Sequence, residues 1–462
     1  MDTILIKNAS YLITTARADV IENGAVLIEG NKIKAVGATA ELEKDFQGTT
    51  VIDAGNKVVM PGLVDTHNHL GNWNMYTLLG WYETHPLVQT ERLYKIIHPA
   101  YTWMPAEAVY DVEMVAYLNM IKTGTTTVSD AFMYPDESAR VAIDSGLRVD
   151  LSPTIQTNVR YPDSKSPEDD LVRTEAAIQK WHRAANGRIN YRVHPSITYT
   201  CREWFLKECV NLAERFDVGL SIHAVEGLQA TERAKEVWPQ GEIRRMYDLG
   251  LMGPKSLFFH SCVLEDDELD LYAETGTSVA HCPVSNLKRG LVARVPEMLA
   301  KGINVGLGVD YPNNDLFNVM RITSMIHTIL PREPKGISHR TALEMATHGG
   351  AKALNLGEET GTLEPGKKAD IITLELKGNT RIFPPTAAGL INLIRLNGSG
   401  SDVADMIVDG EILMRDRKLT HLDEDAIMER AHYWHGEFIR WYREKEERGE
   451  PFVEVLHPDF EA

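Results

Sequence analysis

Five apolar stretches in this chain each finish on a residue that can hold a metal or move a proton. They are VVMPGLVDTHNH, ending at His67 and His69; VGLSIH, at His223; SLFFH, at His260; TSVAH, at His281; and INVGLGVD, at Asp310. A parallel strand covered on both faces reads as a short unbroken hydrophobic run, and helical sequence between such runs implies βα units. Closing parallel strands into a barrel brings their C-terminal ends to one mouth, where barrel enzymes keep their chemistry. The expected fold is therefore α/β, a (β/α)8 TIM-like barrel whose mouth gathers these histidines and the aspartate into a metal site.

At 462 residues the chain is long enough for such a barrel and a smaller unit beside it. Short alternating strands separated by Gly and Asn fill the first 60 residues, and the same texture returns in ADIITLEL and DVADMIVDGEILMRD. This predicts a composite β-sandwich domain from residues 1–60 and 362–422, a barrel over 61–361, and a C-terminal helical extension over 423–462. The extension's aromatics (Tyr433, Trp434, Phe438, Trp441 and Tyr442) are expected to pack rather than recognise a ligand. Two amphipathic stretches, PAEAVYDVEMVAYLNMIKTG and CREWFLKECVNLAERFDVG, are each expected to stop at their terminal glycine.

A formal net charge of −18 argues against a nucleic-acid partner or an anionic membrane surface. No apolar run approaches the length of a membrane span. MDTILIKNASYLITT alternates like a strand and has no signal-peptide pattern. Four cysteines (Cys201, Cys209, Cys262, Cys282) at unrelated spacings suggest neither a disulfide framework nor a thiolate zinc site. A cytoplasmic homo-oligomer acting on a small molecule is expected.

His67 and His69 stand two apart on an extended segment, so both imidazoles share one face and can reach one ion. Glu226 follows His223 at the third position, where a loop carboxylate suits a proton carrier. Its other reading is a solvated loop charge. His260 read alone is equally a core histidine bonded to a carbonyl. Asp310 ends a run in which Gly302, Gly306 and Gly308 let the backbone pack closely, and an acid buried there needs a partner. His281, in AHCPVSN, ends its own strand and is followed by Asn286.

PGLVDTHNH, the HAVE from His223 to Glu226, the strand-end His260, HCPVSN at 281–286 and LGVD followed by NND resemble the amidohydrolase superfamily, as does GTLEPGKKADI. The similar branch holds the heterocycle deaminases and the triazine, phenylurea and molinate hydrolases. The resemblance implies one divalent ion on His67, His69, His223 and Asp310. Zn²⁺ suits that donor set, with Fe²⁺, Co²⁺ or Mn²⁺ as alternatives. It implies catalytic roles for Glu226, His260 and Asp310: Asp310 takes a proton from water, His260 stabilises the oxygen that becomes anionic, and Glu226 hands a proton to the departing nitrogen. Trp73, Ser196, His281 and Asn286 are expected at the substrate. No lysine at a strand end is suited to bridging two ions, which favours a mononuclear site.

The sequence also departs from the deaminases. Where they carry a histidine a few residues before Tyr-Thr-Cys, Ser196 stands here, and His194 lies two residues earlier on the same strand face. The stretch after His69 is aromatic and without a basic cluster, so a phosphorylated substrate is not expected. The expected reaction is metal-dependent hydrolysis of a non-peptide C–N bond of the triazine, urea, carbamate or thiocarbamate kind. The alternative is an aminohydrolase that releases ammonia from an N-heterocycle. A metal-free scaffold and a two-ion ring-amide hydrolase are the rivals that a metal count excludes or supports.

Overall fold

The computed structural model describes residues 3–48, 50–75, 95, 97–162, 164–310, 315–329, 336–377, 386–452, 454–456 and 458–459. The first strands are β1 (Thr3–Leu12), β2 (Ile21–Glu29), β3 (Lys32–Ala38), β4 (Thr50–Asp53) and β5 (Lys57–Pro61). Period-two alternation works as read: Ile4 and Ile6 of β1 share a buried cluster with Val26 and Ile28 of β2, while Leu5 joins Ala25 and Leu27 in another.

The apolar runs then become β6 (Leu63–Asn68), β7 (Thr125–Asp130), β8 (Arg148–Leu151), β9 (Thr154–Ile155), β10 (Ile189–Pro195), β11 (Gly219–Ala224), β12 (Ser256–His260), β13 (Ser278–His281) and β14 (Val305–Leu307). The parallel order is β6-β7-β8-β10-β11-β12-β13-β14, with β9 also pairing β10. Every residue of β6, β12 and β13 is buried, which is why those strands read as continuous hydrophobic runs. The ends of the path meet at the mouth, where Asp310 N–H donates to His67 O (2.8 Å) and His69 N–H to Asp310 O (3.1 Å). This is the expected (β/α)8 barrel.

The chain then returns to the first sheet as β15 (Ile371–Glu375), β16 (Val403–Val408), β17 (Glu411–Arg415) and β18 (Lys418–Leu419), with β15 antiparallel to β5. One sheet thus draws on both chain ends. It is locked to the barrel by Arg148 of β8, fully buried, whose Nε and Nη2 donate to Asp370 Oδ2 (2.8 Å) and Oδ1 (3.1 Å). Asp409 N–H and Thr360 Oγ1–H also donate to Asp370, so the buried carboxylate is fully engaged.

The helix Glu424–Arg448 lies on the barrel flank, with Phe438 and Tyr442 buried beside Tyr101 and Phe132. Its aromatics pack as expected, apart from Tyr433, which is 60% exposed. Beyond the helix, Leu456 N–H donates to Asn158 O (2.7 Å), tying the tail to a barrel loop.

Two glycine expectations need correction. Helix Ala106–Thr123 does end at a left-handed Gly124 (φ 89°), but helix Glu203–Phe216 ends at Asp217 (φ 56°). Aspartate tolerates that conformation, and Gly219 instead leaves room for Arg192, whose Nη1 would lie 2.5 Å from a Cβ there. Gly302 makes a left-handed turn in open space, whereas a Cβ on Gly308 would meet Cys282 Sγ at 2.7 Å and His67 Cβ at 3.1 Å. Close packing at Gly308 is what lets β14 sit beside the histidine strand.

Candidate active site

The ends of β6, β11 and β12 and the residue Asp310 after β14 bring His67, His69, His223, His260 and Asp310 together. Period two puts His67 and His69 on one side of β6, and their rings stand 4.7 Å apart. His67 is fully buried and stacks on Phe259, centroid to centroid 3.7 Å. Both His260 (φ 66°) and Asp310 (φ 66°) have left-handed backbones, uncommon outside glycine although aspartate, asparagine and histidine adopt them more readily than other side chains. Such strain persists where surrounding structure over-determines it, and here it falls at two strand ends facing the mouth.

Hydrogen bonds behind the rings decide what the front atoms are. His223 Nδ1–H donates to Ser196 O (2.7 Å), and His69 Nδ1–H to Ala131 O. Each ring therefore presents Nε2 as a bare lone pair. These two Nε2 atoms are 3.4 Å apart. Asp310 Oδ1 is 3.4 Å from His67 Nε2 and 3.6 Å from His69 Nε2. Lone pairs pointed at one another across such distances are mutually repulsive unless a cation lies between them. A tetrahedral Zn²⁺ with nitrogen ligands at about 2.0–2.1 Å spaces its ligand atoms by about 3.4 Å. The donor set and its spacing fit a divalent ion.

The charges point the same way. Burial lowers the pKa of His69 and His223 and takes that of His67 well below its ordinary value, so all three are neutral ligands near pH 7. Burial pushes the Asp310 carboxyl up, but His67 and the other imidazoles around it bring it well below the usual carboxylate range.

A cleft opens onto this cluster. Its lining includes Ser196, Ile197, Gln156, Tyr161, Tyr101, Glu226, His260 and Arg289. Glu226 is buried, with Oε2 3.4 Å from His260 Nε2 and 3.2 Å from Arg289 Nη2. Burial raises its pKa, but Arg289 first, then His260 and His223, bring it below the ordinary value. His260 is drawn down to about 4 by burial and has Nδ1 2.9 Å from Asn286 Oδ1.

Among known proteins, the chain matches the amidohydrolase family over residues 58–413. The chain belongs to that family. This amidohydrolase is 36% identical to the 5'-deoxyadenosine deaminase of Methanosarcina acetivorans over 436 residues, 93% of this chain and 97% of that protein. It is equally 36% identical to the 5-methylthioadenosine/S-adenosylhomocysteine deaminase of Carboxydothermus hydrogenoformans over 430 residues, 92% of this chain and 96% of that one. An adenosine deaminase from Xanthomonas campestris, solved with bound zinc, shares its fold with a TM-score of 0.85 at 23% identity, covering 95% of this chain and 98% of that one. The amidohydrolase is thus a hydrolase of carbon–nitrogen bonds other than peptide bonds.

The substrate-contact expectations fare unevenly in this amidohydrolase. Ser196 lines the cleft, and its carbonyl orients His223. Asn286 and His281 do not line it. Asn286 points its amide at His260 instead, because the helix Pro283–Lys288 runs behind that ring. His281 is fully buried with its ring centroid 5.5 Å from His327. Trp73 belongs to the 3-10 turn Leu70–Met75, but its side chain lies outside the described residues. His194 sits one layer deeper, as its position on β10 implied, with its ring 5.2 Å from that of His223. Arg289 was missed, although it lies three residues after Asn286, a spacing that turns the two toward the facing pair His260 and Glu226. Gln156, Tyr161 and Tyr101 come from loop and helix segments with no motif to mark them.

Proposed function

We propose that this amidohydrolase is a mononuclear, zinc-dependent aminohydrolase that releases ammonia from an adenosine-type N-heterocycle. The observation that carries the reading is the pair of bare Nε2 atoms, 3.4 Å apart on His69 and His223, at the floor of a cleft walled by Glu226 and His260. The relatives support the aminohydrolase over the triazine, urea, carbamate and thiocarbamate hydrolases placed before it above.

His67, His69, His223 and Asp310 would hold the ion. When bound, a divalent ion ionises water near neutral pH, a nucleophile that bulk water does not supply. The protein's own groups do the rest. Asp310, ionised and at the mouth's centre, accepts a proton from the attacking water and aims it at the amino-bearing carbon. Glu226, ionised at rest, buried and within reach of the cleft, receives that proton and passes it to the departing nitrogen, which leaves as ammonia as the carbon–oxygen bond forms. Such proton transfer contributes about 10²–10⁴-fold. His260, held by Asn286 at 2.9 Å and facing Glu226 at 3.4 Å, is given the task of orienting the attacking water, beside the oxygen-stabilising role that the resemblance implies for it.

The test is a screen of zinc-replete protein against 5'-deoxyadenosine, methylthioadenosine and adenosine beside a triazine and a phenylurea, reading ammonia and larger amines separately. Ammonia from the nucleosides is expected. Turnover of only the triazine or the urea would overturn the reading.

A further inference from the structure

Arg289 caps the C-terminal end of the helix Pro283–Lys288 and turns its guanidinium into the cleft. Its side chain is 13% exposed, and Nη2 stands 3.2 Å from Glu226 Oε2, the same oxygen that faces His260. Nε and Nη1 are shielded from solvent and have no acceptor among the described residues. Guanidinium N–H groups cannot be neutralised by losing a proton, and leaving them buried without an acceptor is costly. A counter-ion for Glu226 needs only one of the five N–H groups.

Glu226 already balances the guanidinium's charge. What remains is hydrogen-bonding capacity, suited to an uncharged lone pair rather than to a phosphate or carboxylate. The amino group, the carbon attacked and the ring edge beside them must all lie close to Glu226, and so close to Arg289. Resting on the deaminase reading above, we propose that Arg289 donates to a ring nitrogen of the substrate's heterocycle, next to the reacting carbon, and so selects rings with a lone pair at that edge. A lysine at this position would keep the positive charge against Glu226 and lose the fork that reaches a second acceptor.

The test compares wild type with Arg289→Lys and Arg289→Gln on adenosine, 1-deazaadenosine, which lacks the nitrogen beside the reacting carbon, and 7-deazaadenosine, which keeps it, with zinc content and thermal melting measured for each protein. Inosine binding is followed by calorimetry as a readout independent of turnover. Wild type is expected to prefer adenosine over 1-deazaadenosine by about 10- to 100-fold in kcat/KM. Arg289→Lys should lower adenosine to that analogue's level while changing the analogue itself by less than about threefold, and should weaken inosine binding by a similar factor. Arg289→Gln, which keeps an N–H donor without the charge, should retain part of the preference. Equal effects of Arg289→Lys on all three substrates, or no effect, would overturn the inference while leaving the deaminase reading intact. Failure of zinc-loaded wild type to act on any of the three would sink the deaminase reading and this inference together.

Discussion

Glu226→Gln separates proton carriage from the rest of the site. The amide has nearly the shape of the carboxylate, so the contacts to His260 (3.4 Å) and Arg289 (3.2 Å) can persist while the titratable group is gone. The carrier accounts for about 10²–10⁴-fold in rate, or about 2.7–5.5 kcal/mol of barrier. Glu226 is 5% exposed, so no bulk water stands ready to take its place, and the loss should fall in the upper half of that range. Arg289 would also be left without a counter-charge, at a stability cost of about 1–3 kcal/mol. The assay is single-turnover ammonia release by protein whose zinc content and melting curve have been matched to wild type. A folded, zinc-loaded Glu226→Gln enzyme working within about threefold of wild type would refute the assigned role.

Chelation, or His69→Ala, should abolish turnover more completely than Glu226→Gln, and only the chelated protein should recover on adding Zn²⁺; full activity after exhaustive chelation would contradict the ligand set. Arg148→Met should cost about 3–5 kcal/mol in urea unfolding, because Asp370 would remain buried without its cation; a cost under about 1 kcal/mol would show the pair to be dispensable. Glu242, buried against Thr198, is raised by burial to about 7 from 4.5. The folded state thus holds a proton that the unfolded state has released, so this stabilisation is full below pH 4.5 and is lost as pH rises toward 7. Glu242→Gln should therefore gain on wild type by up to about 3 kcal/mol between pH 4.5 and 8; an identical difference at both ends would refute the sign.

The barrel was legible because its strands are covered on both sides and so announce themselves as unbroken hydrophobic runs, each with a chemically distinctive final residue. Two-residue periodicity was enough to place His67 and His69 on one face. What lay outside that logic was harder to see. Asn286 and Arg289 act from a short helix behind the strands, and their targets, His260 and Glu226, are distant in sequence. Gln156 and Tyr161 reach the cleft from a loop after β9, where no periodicity constrains direction. Asp217 took the capping position assigned to Gly219 because left-handed geometry is open to aspartate, while the space beside Gly219 was claimed by Arg192.

Among the described residues, the two backbone hydrogen bonds that join the barrel's last strand to its first are made by Asp310 with His67 and His69. A chain still unwrapped along that edge has its histidines in hand but not its acid. Recovery of catalysis during refolding should therefore time the final zipping of the cylinder, lagging behind probes that see only helix formation.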